Sequence, residues 1–474
     1  MDSKNIRLIK NIFLLFTGNF VAKVLSFLMV PFYTAYLTTS EYGISDLIST
    51  TVLLVLPAFS LLMDEAIMRF ALDKGSDKQQ VFSIATILSS AGFIAVLVLS
   101  PILLLFDSLR DYYWFVLLYY VSLWLYNIFS NYVKGLDKLG ITTTAGIIHT
   151  FGFLGLNILF LAVFKIGIIG YLLAIDISNI IAAIFLFFYC KLYKQFISIK
   201  KLDLKLAKEM VRYSLPIIPD YISWWFVNCS DRYMLTGLIG TSVTGIYSVA
   251  YKIPTILSSL SSIFASAWKI SSVDEFGTEE SIRFYNKIFL TYSALLFSAS
   301  AVLIVATRPL ARILFTNDFY QAWEITPVLI VAYVLSALAI FVSSIFTASK
   351  QTKRLFYAPV IGAIINITLN FVLIPYWGGM GAACATCVGY FVILSINMYN
   401  TYKILPMNFV IGRNLLLFVL IAFETILIIY NNRTCDLGAL MIVLVIFIIT
   451  RNELRNLIVI PMRRIPVINN FFKK

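Results

Sequence analysis

Histidine, cysteine and charge are all scarce in this chain of 474 residues, which has a single histidine, His149, and five cysteines. A structural metal site takes about four ligands, so no metal centre is expected. Cys384 and Cys387 form a Cys-x-x-Cys pair inside Gly381-Ala-Ala-Cys-Ala-Thr-Cys387. Such a run of small residues suits close helix packing better than redox or metal chemistry. Charged residues make up 13% of the chain, against about 25% in a soluble domain, too few to dress a water-soluble surface. The net charge of +13 comes without a basic run interleaved with aromatics, so nucleic acid is not an expected partner.

Apolar residues are what the chain has in abundance, 60% of it, with a mean hydropathy of +0.89. A helix crosses the hydrocarbon core in roughly 20 residues, and about fourteen stretches are long enough. They run near 11–37, 42–63, 80–105, 112–133, 141–164, 167–189, 213–238, 243–268, 284–306, 324–348, 355–375, 381–402, 412–430 and 435–450. Of the 37 Lys and Arg, 29 fall in or at the edges of alternate gaps, while the other gaps hold only Arg110, Lys165, Arg308, Arg312 and Arg433. This is the positive-inside bias, which predicts a multi-pass protein with both termini cytoplasmic. The first stretch, from Asn11 to about Leu37, carries Lys23 and is too long for a signal peptide, so it is expected to remain as a span.

The spans divide into two groups of six. Residues 1–190 form a first six-helix lobe, 191–212 a basic cytoplasmic linker, 213–408 a second lobe, and 409–474 an extra helix pair with a basic tail. The linker has Lys191, Lys194, Lys200, Lys201, Lys205, Lys208 and Arg212, a composition suited to an amphipathic helix at a surface of anionic lipid. The lobes also echo each other. Thr39-Ser40-Glu41-Tyr42-Gly43-Ile44 returns 202 residues later as Thr241-Ser242-Val243-Thr244-Gly245-Ile246. Leu156-Asn157 has a counterpart in Leu369-Asn370, and Gly167-x-x-Gly170 in Gly378-x-x-Gly381. Two six-span halves start on the same side, so the repeat is parallel.

Polar groups inside spans usually face a cavity or one another, because an ionisable side chain there costs roughly 2.5–3.5 kcal/mol. In span eight, Ser248, Lys252, Thr255, Ser259, Ser262, Ser266 and Lys269 recur every three or four residues, which draws a polar face down one helix. In span two, Asp46, Thr50, Ser60 and Asp64 sit at the same offset of 202 from Ser248, Lys252, Ser262 and Ser266. Two such helices suggest a water-accessible cleft; Ser and Thr can also bond across a helix contact with no cavity, and Lys252 in mid-face favours the cleft. Span one adds Asn19 and Lys23, and span seven adds Asp220, Trp224, Asn228, Asp231 and Arg232, with Pro216 and Pro219 at its start. Asp176 lies in span six, His149 in span five and Glu424 in span thirteen. His149 reads as a neutral, hydrogen-bonded interior residue ahead of a proton relay, and Glu424, outside the repeat, as structural or protonated.

Several of these residues carry a family resemblance. Phe13-Leu-Leu-Phe-x-Gly18-Asn19-x-x-x-Lys23, Leu37-Thr-Thr-Ser-Glu-Tyr-Gly43, Gly135 with Lys138, Ser349-Lys350-Gln-Thr-Lys353 and Asp231-Arg232-Tyr-Met-Leu235 together resemble the polysaccharide transporter branch of the multidrug/oligosaccharidyl-lipid/polysaccharide (MOP) exporter superfamily, the Wzx-type flippases. The resemblance covers essentially the whole chain. It implies an all-α, MATE-like, V-shaped membrane protein of two pseudo-symmetric lobes plus a C-terminal helix pair, working by alternating access in the bacterial inner membrane. The implied cargo is an undecaprenyl-diphosphate-linked oligosaccharide, an O-antigen, capsule or exopolysaccharide unit. Lys23, Asn19, Arg232, Lys252, Ser248, Thr255 and Ser259 would line a cationic lumen for its diphosphate and glycan. Trp224, Trp225, Tyr247 and Tyr251 could stack on sugars. Asp220, Asp176 and Asp231 are the acids for coupling to H+ or Na+, and no cofactor is implied. Partners would be membrane lipids and a glycan polymerase. Rival readings are a lipid II-type flippase and a drug or cation antiporter of the same superfamily. A membrane glycan polymerase, an enzyme, fits less well, because no acid pair or Asp-x-Asp motif lies in a loop and the longest outer gap, from Thr307 to about Trp323, is short.

Overall fold

A computed structural model describes residues 24–25, 27–73, 75–258, 261, 264, 281–349, 351, 353–430 and 432–464, without the side chains of residues 199, 220, 347, 348, 353, 355, 356 and 456–464. The described residues are helical, with no strand among them. Ten helices there are long and apolar enough to cross a membrane. One of the ten, Tyr357–Tyr402, takes in two of the stretches that the sequence separates. Ile94, Val98 and Leu105 are 62, 72 and 80% exposed on helix exteriors. Water is a poor solvent for such a surface and lipid a good one.

The chain divides into two compact units, Met1–Ser248 and Val249–Lys474. The first contains α1 (Val30–Tyr36), α2 (Thr39–Phe59), α3 (Met63–Leu72), α4 (Lys78–Leu99), α5 (Tyr113–Gly135), α6 (Leu139–Asn157), α7 (Gly167–Tyr189), α8 (Leu204–Ser214), α9 (Ile218–Leu238) and most of α10 (Thr241–Ala250). Local chemistry sets the helix starts. Thr38 and Glu41 form a capping box at α2, while Asp77 and Asp203 accept the first free amides of α4 and α8, each satisfying donors that a helix leaves open. Span two is interrupted where the sequence reading draws one helix. Pro57 precedes Ser60, and Leu61 and Leu62 then take left-handed backbone (φ 54° and 48°) before α3 begins.

The basic linker is bound to the first unit. Gln80 Nε2 donates to the Lys201 carbonyl at 2.9 Å, and its Oε1 accepts from Asp203 N at 3.1 Å. Ser83 Oγ donates to the Gln195 carbonyl (3.1 Å) and accepts from Ile197 N (2.9 Å). The helix that the sequence reading lays against lipid turns its apolar side to protein instead. Met210 is fully buried, with Leu206 and Val211 beside it, in a core with Met63, Ile67, Phe82, Ile128 and Tyr132. Lys205, Lys208 and Arg212 remain exposed.

The second unit holds α11 (Ser281–Leu314), α12 (Ala322–Ala348), α13 (Lys353–Tyr402), α14 (Ile411–Ile429) and α15 (Arg433–Arg464). α13 turns at Gly378, whose φ of 53° and ψ of −131° lie where a side chain is strained. Gly167, its repeat counterpart in the first unit, has φ 58°. The helix pair outside the repeat is joined to α11. Arg308 pairs with Asp436 at 2.8 Å and lies 4.9 Å from the Trp323 ring centroid, and Ser298 and Thr450 hydroxyls meet at 2.9 Å.

Candidate functional site

The two copies of the Thr-Ser repeat meet. Both open a helix, α2 and α10, and the two N-termini cross within the first unit. Thr39 Oγ1 lies 2.7 Å from Ser242 Oγ, and Ser40 Oγ lies 2.7 Å from Thr241 Oγ1. The exchange is reciprocal, as a local two-fold relation between equivalent segments requires. Gly43 and Gly245 permit the approach. A Cβ on Gly43 would strike the Thr241 carbonyl oxygen, and one on Gly245 would strike that of Thr39. Glu41, besides capping α2, reaches the start of α7, where its Oε1 accepts from Ile168 N at 3.3 Å. Gly167 stands close enough that a Cβ would lie 2.8 Å from the same oxygen.

One turn further along α2 is the charged centre. Asp46 Oδ2 accepts from Arg232 Nε at 2.5 Å and from Ser248 Oγ at 2.7 Å. Ser248 is the residue that the repeat aligns with Asp46, so equivalent positions are again in contact. Arg232 Nη1 also donates to the Asn228 carbonyl (2.5 Å) and pairs with Asp231 Oδ1 (3.3 Å). Asp231 is 1% exposed and accepts from Arg232 N at 2.9 Å and from the Tyr247 hydroxyl. A guanidinium between two carboxylates suits Arg, whose planar fork serves several acceptors at once. The seam continues along α9 and α2. Trp225 Nε1 donates to the Thr50 carbonyl at 2.7 Å, Tyr233 bonds Thr51, and Tyr221 donates to Glu65 of α3 at 3.1 Å.

Among the sequence-predicted site residues, Arg232, Ser248 and Asp231 are therefore together, with Asp46 as the addition. Asp46 was legible only as a member of a polar face. Its role as the counter-ion needed the crossing of α2 and α9. Tyr247 and Trp225 from the aromatic set are hydrogen-bonded within this seam. Lys252 and Thr255 belong to the second unit, and the helix between them is not continuous. α10 ends at Ala250, residues 251–254 turn, and Thr255 Oγ1 donates back to the Lys252 carbonyl at 2.5 Å. Pro254 has no amide hydrogen for the helical ladder, so the expected unbroken polar face of span eight is interrupted there. Asp176 forms a separate cluster in α7. It is 1% exposed, accepts from Ser122 Oγ at 2.9 Å, and its Oδ2 has no hydrogen-bond partner among the described residues. His149 stacks on Tyr126 at 5.4 Å. Lys23, Asn19, Ser259, Ser262, Ser266 and Lys269 lie outside the described residues, as does the side chain of Asp220.

Fold and site define a multi-pass, all-helical membrane protein with an internal repeat whose halves touch at a contact built around one buried arginine and two acids. The chain belongs to the family described as polysaccharide biosynthesis protein, whose model matches residues 8–268; the MatE family model matches residues 216–372. It is similar to the probable low-salt glycan biosynthesis flippase Agl15 of Haloferax volcanii, with 24% identity over 196 residues. That stretch is 41% of this chain and 42% of Agl15, less than half of either. In fold it is similar to the lipid II flippase MurJ in an inward closed conformation, with a TM-score of 0.69 and 15% identity over 93% of this chain and 99% of that one. A multidrug resistance MATE family transporter of the MOP superfamily, inward-facing, gives a TM-score of 0.66 and 13% identity over 81% of this chain and 94% of that one. The superfamily resemblance carried by the sequence motifs thus holds.

Proposed function

We propose that this protein is a flippase, not an enzyme, that moves a polyprenyl-diphosphate-linked oligosaccharide from the inner to the outer leaflet of a bacterial cytoplasmic membrane by alternating access. The observation that carries the reading is the buried Arg232, paired with Asp46 of α2, whose carboxylate also accepts from Ser248 of the repeat-related α10, in a chain of the polysaccharide biosynthesis family similar to a glycan flippase. A transporter for a lipid-linked diphosphate needs a cation along its path, since an isolated phosphate charge is costly away from water. Lys23 and Lys252 supply further positive charge in the first span of one half and the second span of the other. For the coupling ion, H+ or Na+, Asp176 is the stronger assignment. Asp231 already has Arg232 and Tyr247, whereas Asp176 receives one hydroxyl and keeps a second buried oxygen.

The test is complementation of a strain lacking its own O-antigen flippase, scoring surface polysaccharide and the lipid-linked unit that accumulates on the cytoplasmic side. The reading expects surface glycan to return. Rescue of a lipid II flippase deletion instead, with no surface glycan from any matched unit, would replace this cargo by the peptidoglycan precursor. Lys252→Ala should lower export at least tenfold with normal membrane insertion, and Lys252→Arg should be milder. Full export by the alanine variant would remove Lys252 from the path.

A further inference from the structure

The crossing of α2 and α10 has two parts of different character. Its end, at Thr39, Ser40, Thr241 and Ser242, is held by neutral hydroxyls, each worth about 0.5–1.5 kcal/mol net. The glycines bring the backbones together there. One turn deeper, Asp46 and Arg232 supply an ionic bond, the only one joining α2 to α9 or α10 among the described residues. The segments 37–42 and 239–243 carry no Lys or Arg, and the positive-inside bias of the whole chain expects this end on the outside.

Asp46 occupies its place as an anionic ligand would. One carboxylate oxygen takes both the Arg232 Nε–H and the Ser248 hydroxyl, a donor pair equally suited to a phosphoryl oxygen. The Asp46 side chain is 24% exposed against 10% for Arg232, so the carboxylate is the less buried partner of the pair. Asp46 lies three residues from Gly43 on one rigid helix, so Asp46 cannot leave Arg232 unless α2 shifts against α10, and that shift strains the hydroxyl pairs.

We propose that residues 39–46 and 241–248 form an outer gate latched by Asp46, and that a diphosphate reaching Arg232 and Ser248 displaces the Asp46 carboxylate and releases the gate. The proposal rests on the cargo reading above for the chemistry of its trigger. Asp46 is then a positioning residue: it holds Arg232 in the empty protein and yields it to the substrate. The exchange is one anion for another at the same donors, so the buried guanidinium is never left without a partner, and the cost of breaking a buried ion pair outright is avoided.

Disulfide trapping tests this in the full-length protein. Ser40→Cys with Thr241→Cys, in a background with the five native cysteines replaced, is oxidised in proteoliposomes with and without inorganic pyrophosphate. The expected result is ready cross-linking without the anion and a several-fold lower yield at millimolar pyrophosphate. Asp46→Asn should show the low yield without any anion and no further response, while Asp46→Glu, which keeps the charge, should restore the response and report on folding. A yield indifferent to pyrophosphate with Asp46 intact would overturn the latch, as would an oxidised protein that exports lipid-linked glycan at the rate of the reduced one. The two readings separate cleanly. Glycan export with an indifferent cross-link removes the latch and leaves the cargo; a responsive cross-link in a protein that exports no lipid-linked glycan upholds the latch and removes the cargo.

Discussion

Arg232 is the residue on which most of the described chemistry converges. It is 9% exposed and bonded to Asp46, Asp231 and the Asn228 carbonyl. Removing one member of a buried ion pair costs about 3–5 kcal/mol, because the remaining charge is stranded. Arg232→Ala should therefore lower the thermal transition of the detergent-solubilised protein by several degrees. Arg232→Lys should fall between the two, since an ammonium on a flexible stem cannot serve the same acceptors as a planar fork. A double-mutant cycle of Asp46→Asn with Arg232→Gln, read by the same melting experiment, should give a coupling of about 1–3 kcal/mol; additivity within a few tenths would mean that the pair contributes little. Sequence reasoning found Arg232, Asp231 and Ser248 because an ionisable or polar group in an apolar span is conspicuous. It left Asp46 out of the site because the repeat offset aligns Asp46 with Ser248 without revealing that aligned residues touch.

At the scale of elements, glycines separate close approach from simple flexibility. Gly378 turns α13 with positive φ, and Gly43 and Gly245 admit a neighbouring backbone; Gly412, in the first turn of α14, has nothing within 4 Å of where a Cβ would stand. Gly378→Ala should destabilise by about 1–3 kcal/mol, the cost of placing a side chain in a positive-φ region that glycine occupies almost alone. Gly412→Ala should be neutral or stabilise by up to about 1 kcal/mol. Gly43→Ala pushes against backbone and not against a movable side chain, so about 1–3 kcal/mol of overpacking is expected. Melting curves of the three variants check the order. If Gly43→Ala melts with wild type, the close crossing of α2 and α10 is not maintained in the membrane protein. The repeat behind these glycines was plain in the sequence. The breaks are less so: hydropathy carries span two through Leu61 and Leu62, and span eight through Pro254, because it continues across a turn when both sides remain in an apolar setting.

At the scale of the whole molecule, the first unit takes in the linker as well as the helices on either side of it. Amphipathicity predicted the linker helix α8 but could not say what covers its apolar side, since lipid and a protein core are equally dry. Met210, packed with Leu206 and Val211 against Met63, Ile67 and Phe82, shows that protein covers it. Ser83→Ala with Gln80→Ala should raise hydrogen exchange across 195–204 and leave 281–314 unchanged; equal protection in the variant would mean that the apolar face of α8 alone holds the linker. The local two-fold contact has a consequence for descent. A half-length ancestor that paired with its own copy through the Thr-Ser-x-x-Gly segment would have had to set like against like at every position near the axis, Asp against Asp or Ser against Ser. Joining the halves in one chain removes that constraint. The position can then hold an acid on one side and a hydroxyl on the other, with a single arginine answering the acid, an asymmetry open to one polypeptide and closed to a pair of identical ones.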